Sequence, residues 1–520
     1  MEISDAFEGM TAGAGGESAQ RSGAIAAISR AIGIDFARPL AFVALALAYV
    51  ASRAPFMNIG YGTDPDAWRM ALSGYWLWDH HEFYPSRLPG YPVPELASAA
   101  VIKGGWLATN SLTVAVSLVG VWFFAQIVSK LELPNRGLIV AGFAFTPLLW
   151  INSMTTMDYM WALTFILGCY YFLLEEQVAP AGVMLGLAAA SRSTSIVLVI
   201  PFVLYLIRDG KRRELRDFFV WTIAIPMVAY LPIVWKYGAD FLRFYDAKVG
   251  YLNVLRLLGK DTLGLLGSMA VLVATGLSLP RLIRLPVDFL RDKHVMLWMI
   301  VIALVVVVFL RLPHESAYLI PLYPFGFLVM AKYFQKWVLL GSVAMIIFAG
   351  FVDLGSHGAD LNARVFTHAR LGEGLVLSNR STMRTQLAFS RDLEKLEVPG
   401  HSVVMIGFSY PQFAVLNRDR LRLGILEKDT TSISQLTDMG KAVDDAHQVT
   451  YVWLLDYTQF SKFYLTDHFT ILLTQDAARS TQALYNFRPG LYDVTGTSGV
   501  RLLNLGRGPA GSSGAARTSR

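Results

Sequence analysis

Long apolar runs recur along this chain at a spacing that leaves few alternatives to a bundle of membrane helices. Crossing the ~30 Å hydrocarbon core of a bilayer takes about 20 residues of helix. Runs of that kind lie near 38–57, 111–129, 137–152, 157–174, 217–236, 262–280, 294–311, 317–333 and 337–353. Composition agrees. Of the 520 residues, 54% are hydrophobic and 16% charged, against the roughly 25% charged of soluble domains. Lys plus Arg total 45 against 39 for Asp plus Glu, concentrated in short loops, which reads as membrane orientation. Membrane lipids are therefore expected partners. Nucleic acid is not, because no basic patch interleaved with aromatics sits on a soluble segment. The single cysteine, Cys169, excludes an intrachain disulfide.

The two ends read differently. Residues 1–37 are small, polar and glycine-rich, without the basic stretch and apolar core of a signal peptide. They read as a flexible cytoplasmic tail. Beyond 354 the character changes to short apolar segments such as "HSVVMIGF" and "VTYVWLLDY", which read as strands, while "STMRTQLAFSRDLEKLE" reads as an amphipathic helix. The expectation is a periplasmic α/β domain over 355–508, then a disordered tail over 509–520. Residues 38–354 form the transmembrane domain, with a large first periplasmic loop at 58–110.

The segment from Ala179 to Arg208, "APAGVMLGLAAASRSTSIVLVIPFVLYLIR", is one long span or two short ones broken at "SRSTS". Charge parity decides. The basic loop "RDGKRRELRD" belongs inside, and with an inside N-terminus only the two-piece reading returns the chain there. The same count puts the basic "PRLIRLPVDFLRDK" and "AKYFQKW" inside. The fold expected is a polytopic α-helical membrane protein of about eleven spans. Arg192 then sits at a helix break in the outer half of the membrane, where a charge normally faces a polar cavity.

Under this topology the outer side collects most of the unusual polar residues. The first loop holds Asp64, Asp66, Asp79, His80, His81, Glu82 and Arg87. Asp158 stands at the mouth of the fourth span, and Arg192 joins from the break. "FLRLPHESAYLIPLYP" adds Arg311, His314, Glu315 and Tyr318. Some members have plain structural uses. Asp64 or Asp66 is suited to cap the helix "DAWRMALSGYWLW", Asp158 to start the next one, and Glu315 reads as a solvated charge. Trp68, Trp76 and Trp78 read as interfacial anchors. The adjacent histidines point to different helix faces, which argues against a metal site there.

The convergence has a chemical reading. A carboxylate can take a proton from a hydroxyl, and arginine forks match phosphate geometry and neutralise a phosphate leaving group. A base and a phosphate clamp at lipid depth suit sugar transfer from a polyprenyl-phosphate donor. A divalent ion on the carboxylates is compatible with this chemistry but not required, because the arginines already supply positive charge.

The motifs resemble those of the GT-C superfamily of polytopic glycosyltransferases. They are most similar to the bacterial branch related to protein O-mannosyltransferases and to lipid A aminoarabinose and galacturonic acid transferases. The likeness runs over roughly 38–335. It rests on Asp64 followed four residues later by Trp68, on "SRLPGYP" with Arg87, on "TTMDYMWALTF" with Asp158, on "GLAAASRSTSIVLVIP" with Arg192, and on "RLPHESAYLIPLYP" with Arg311 and Tyr318. The resemblance implies an inverting transferase acting on a periplasmic hydroxyl of a glycolipid, polysaccharide or protein at the inner membrane. Asp64, Asp66 and Asp158 are its candidate catalytic carboxylates, and Arg87, Arg192, Arg311 and Tyr318 its candidate donor-phosphate ligands. Many relatives carry a second acid directly after the first aspartate, whereas here Pro65 intervenes. The base is thus Asp64 or Asp66. The rival from another class is a transporter or flippase of lipid-linked or anionic solutes. It would favour two repeated halves and a path open to both sides, but no repeat is evident and the polar set is one-sided.

Overall fold

The computed structural model describes residues 32–238, 250–354 and 371–394, and beyond these the segments 402–406, 410–416, 418, 424–427, 451–454, 462–465, 472–473, 490–493 and 501–503. The expected tails lie outside these residues, apart from 32–37. The described chain is mostly helical. Its helices are α1 (Pro39–Arg53), α2 (Pro65–His80), α3 (Pro92–Val101), α4 (Gly105–Lys130), α5 (Arg136–Phe145), α6 (Pro147–Ser153), α7 (Tyr159–Leu174), α8 (Val178–Ser191) and α9 (Val199–Arg208). There follow α10 (Leu215–Tyr237), α11 (Tyr251–Leu258), α12 (Lys260–Leu277), α13 (Leu279–Leu282), α14 (Leu285–Arg291), α15 (Lys293–Arg311), α16 (Leu322–Tyr333) and α17 (Lys336–Ala349).

Five helical stretches among the described residues are long and apolar enough to cross a membrane: Pro39–Phe56, Pro92–Lys130, Arg212–Tyr237, Lys260–Leu277 and Lys293–Arg311. Shorter apolar helices accompany them at Arg136–Phe145, Tyr159–Leu174, Val178–Ser191, Ser193–Arg208 and Lys336–Ala349. The run expected as one span at 137–152 is two helices, α5 and α6. Pro147 disfavours helical backbone at the residue before it, and Thr146 is extended at ψ 131°. The Thr146 hydroxyl donates to the Gly142 carbonyl at 2.7 Å, taking up one acceptor that the break releases.

The described residues divide into two compact units. The first takes those of Met1–Asn58 and Arg87–Arg380. Its helices pack through small residues, as expected where lipid offers no hydrophobic contrast. Gly182 and Gly186, four apart on α8, let α10 approach so closely that an added Cβ would stand 2.6 Å from the Phe218 carbonyl oxygen and 2.7 Å from that of Trp221. Gly120 on α4 meets Thr164 on α7 in the same way.

Buried Arg53 ties α1 to the α5–α6 break. Its Nη2 donates to the Ala144 carbonyl at 2.6 Å and its Nε to Ser153 Oγ at 2.9 Å. Nη1 donates to the Tyr49 carbonyl and to Ser52 Oγ, while the guanidinium lies 3.4 Å from the centroid of the Tyr49 ring. Cationic donors at a helix C-terminus are favourable, which accounts for a charge fully out of solvent. A two-stranded ladder, β1 (Val352–Leu354) with antiparallel β2 (Leu371–Glu373), also belongs to this unit. Asp353 on β1 accepts from the backbone N–H groups of Leu265 and Leu266, just past Gly264, whose φ of 76° breaks α12.

The second unit takes Ile59–Ser86 and the described residues of Ser381–Arg520. The segments read as strands and amphipathic helix are so: α18 (Leu375–Glu394), β3 (Ser402–Ile406) and β5 (Tyr451–Leu454). A further helix is α19 (Tyr410–Leu416), and strands β3 and β5 form a mixed sheet with β4 (Gly424–Glu427), β6 (Lys462–Leu465), β7 (Leu472–Leu473), β8 (Gly490–Asp493) and β9 (Arg501–Leu503). Its order is β4-β6-β3-β5-β8-β7, with β9 also on β8; β3 and β5 run parallel, with Val404 opposite Trp453, and the other pairs are antiparallel. Helix α19 packs on α2.

Candidate functional site

The stretch Ile59–His81 is shaped by its own residues. Asp64, extended at ψ 130°, caps α2 by accepting from the Asp66 N–H at 2.8 Å, and Pro65 takes the first helical position, where its missing N–H costs nothing. Asp66 instead binds Arg69 Nη1 at 2.7 Å. Of the two aspartates suited to the cap, Asp64 is the one that serves. Trp68, expected as an interfacial anchor, is buried. Its indole donates to the Gly62 carbonyl at 2.9 Å and meets the Tyr61 ring edge-on. Gly60, at φ 135°, lets the chain fold over the Trp68 indole, where a Cβ would lie 3.1 Å from it. Trp78 remains exposed, and His80 packs against Trp76 while His81 ends the helix in the left-handed region.

In the first unit, three of the residues singled out in the sequence meet at one carboxylate. Asp158 is fully buried. Its Oδ1 accepts from Arg87 Nη2 at 3.0 Å and its Oδ2 from Arg192 Nη1 at 2.6 Å. Though it stands at the start of α7, its side chain makes no cap hydrogen bond. Helix start is therefore its address and ion pairing its use. A buried carboxylate between two guanidiniums is the kind of pairing that makes burial of three charges tolerable.

Each arginine is held by local chain chemistry. Arg192 is a single extended residue, φ −155° and ψ 110°, between the last turn of α8 and the 3₁₀ turn Ser193–Leu198. The break expected in "SRSTS" is there. Arg87 opens the turn in which the Gly90 N–H returns to the Arg87 carbonyl at 2.7 Å, with Gly90 at φ 93°. The Tyr230 hydroxyl, on α10, lies 3.2 Å from the Gly90 carbonyl and 3.1 Å from that of Ala189. The arginine turn is thus tied to the end of α8, three residues before Arg192.

Aromatic rings complete the cluster. Arg192 lies 4.4 Å from the Tyr159 ring centroid and 4.5 Å from that of Tyr318. Arg87 lies 4.0 Å from that of Tyr91. Such stacking gains strength when desolvated. Glu315 is not the solvated charge its loop suggested, for it accepts from the Tyr159 hydroxyl at 2.5 Å. Arg311, at the end of α15, is exposed and is not among the residues gathered around Asp158.

Sequence reasoning missed Tyr91, Tyr159 and Arg53. Tyr159 had a signal in its place beside Asp158. Arg53 had one too, as a lone charge closing the first apolar run. The arrangement offers two guanidiniums held by one carboxylate and shielded by phenol rings, a combination suited to an anion with several oxygens.

A family model described as GPI transamidase subunit PIG-U matches residues 76–244, a stretch that includes Arg87, Asp158 and Arg192. No curated protein matches the chain. Among solved structures, ArnT from Cupriavidus metallidurans bound to undecaprenyl phosphate is similar at 11% identity and TM-score 0.47, over 82% of this chain and 98% of that one. The apo state of the same protein is similar at 10% identity, with the same coverage and TM-score.

Proposed function

We propose that this chain is a GT-C-type glycosyltransferase of the bacterial inner membrane, moving a sugar from a polyprenyl-phosphate donor to a periplasmic acceptor hydroxyl with inversion. The observation that carries the reading is the Arg87–Asp158–Arg192 cluster. A guanidinium has five N–H donors in a planar fork. Asp158 engages one nitrogen of each arginine and holds the two forks in place before substrate arrives. A phosphate placed between the forks would find preorganised donors where negative charge builds as the glycosidic bond breaks. Tyr91, Tyr159 and Tyr318 exclude water and hold the guanidinium planes. Asp158 is the residue that positions the arginines.

In this reading the proton of the acceptor hydroxyl goes to Asp64. That oxygen then attacks the anomeric carbon from the face opposite the phosphate, and the polyprenyl phosphate leaves. The motif resemblance carries the base to Asp64, four residues ahead of Trp68. The topology that accompanies the reading has about eleven spans, an inside N-terminus and a periplasmic C-terminal domain. The basic loop after α9 supports it through the positive-inside rule.

The test is a profile of envelope glycolipids and glycoproteins in a deletion strain. Complementation with the wild type should restore a missing glycan, and Asp64→Asn and Arg192→Ala should not. An unchanged envelope in the deletion strain would remove the transferase reading.

A further inference from the structure

The connection between the apolar helices α12 and α15 has a surface unlike an ordinary loop. It consists of α13 and α14, each opened by a proline near its start, Pro280 and Pro286. Leu279, Ile283, Val287 and Leu290 recur every three or four residues, the spacing of one helical stripe. All four are exposed, Ile283 at 71% and Leu290 at 72%. Arg281, Arg284 and Arg291 are exposed on the same segment.

The acids of this segment are turned to the bundle. Asp288 accepts from the Tyr333 hydroxyl at 2.7 Å, and Asp292 pairs with Lys332 at 2.6 Å. Arg208, at the end of α9, donates to the carbonyls of Phe289 and Leu290. The segment is therefore pinned to the helices behind it while it presents leucines and arginines outward. Its apolar stripe continues from α12, where Leu272, Val273 and Leu277 are also exposed.

We propose that residues 279–291 lie in the plane of the bilayer surface and form an anchor selective for anionic lipid headgroups. Four large apolar side chains exposed at one place call for a cover. Charge complementarity names it, because three arginines flank the stripe with the local carboxylates paired inward. An interfacial helix of this kind sinks its apolar side chains to the acyl boundary and keeps its cations at headgroup level. Each arginine near an anionic surface is worth ~1 kcal/mol, or about fivefold in binding. The proposal stands apart from the transferase reading, for it uses none of the cluster residues.

The experiment uses the full chain with Cys169→Ser and Ile283→Cys, the new thiol carrying a bimane fluorophore, in phosphatidylcholine vesicles with or without phosphatidylglycerol. Brominated acyl chains should quench the fluorophore, and brominated phosphatidylglycerol should quench it several-fold more effectively than brominated phosphatidylcholine. High salt should abolish that preference, as screening requires, and R281Q/R284Q/R291Q should bring the two lipids to parity. The salt arm needs no arginine variant and decides the matter even if the triple variant does not fold. The proposal is overturned if the two lipids quench equally at low salt, if salt leaves the preference unchanged, or if aqueous iodide quenches where brominated lipid does not. It is also overturned if the fluorophore is shielded only when a second copy of the chain is bound.

Discussion

Asp158 and Arg192 meet at 2.6 Å with the carboxylate wholly out of solvent, and the other carboxylate oxygen holds Arg87. Pairing of this kind adds little net stability when complete, yet it is costly to break on one side, because the partner is left buried and charged.

Asp158→Asn is therefore expected to lower unfolding stability by about 3–5 kcal/mol, since it strands two guanidiniums. Adding Arg192→Gln should return part of that loss by removing one stranded charge. Thermal or denaturant unfolding in a single detergent, run as a double-mutant cycle, measures both effects.

Asp64 and Asp66 are separable by their different partners. Asn caps a helix as well as Asp does, so Asp64→Asn should leave stability near wild type while abolishing transfer. Asp66→Asn weakens a partly exposed bridge to Arg69, worth up to about 1 kcal/mol, and should retain activity. Paired unfolding and complementation assays decide. Full activity in Asp64→Asn with none in Asp66→Asn would reverse the assignment of the base.

Arg53 acts through a planar fork that reaches two carbonyls and two hydroxyls at once. Lysine cannot reproduce that fork. Arg53→Lys and Arg53→Met should each reduce stability by roughly 1–3 kcal/mol, the penalty for buried groups left without their partner, and unfolding curves read it directly.

The glycines of α8 are required by backbone approach. Gly182→Ala places a Cβ 2.6 Å from the Phe218 carbonyl oxygen and is expected to cost about 1–3 kcal/mol by overpacking. Gly341 on α17 has open space at its Cβ position. There Gly→Ala should be neutral or stabilising by up to ~1 kcal/mol.

Asp35 supplies a pH dependence. Burial raises its carboxyl, but hydrogen bonds from the Ala37 N–H, the Ser129 hydroxyl and Arg136 outweigh that and hold it below the usual carboxylate range. With the folded value below the unfolded one, its stabilisation is full above the unfolded pKa of about 3.9 and fades as pH falls through the folded value. The difference in melting temperature between wild type and Asp35→Asn should be constant at neutral pH and shrink below pH ~4.

The sequence by itself determined the placement of most helices, the break at Arg192 and the change to strands past 354. Each of these depends on properties a short segment carries alone. Transfer of apolar side chains out of water, the backbone limits of Pro and Gly, and the periodicity of strand and helix are all local. Even so, 137–152 divided at Pro147, because a proline's effect on its predecessor outweighs an otherwise continuous apolar run. What only the tertiary structure decided is which charges meet. Asp158 reaches Arg87 across 71 residues and Arg192 across 34, and Glu315 reaches Tyr159 across 156. Arg53 finds its carbonyl 91 residues away. A charge in an apolar run announces that it needs a partner. Which partner it takes depends on how helices pack, and packing follows from contacts between surfaces far apart in the chain.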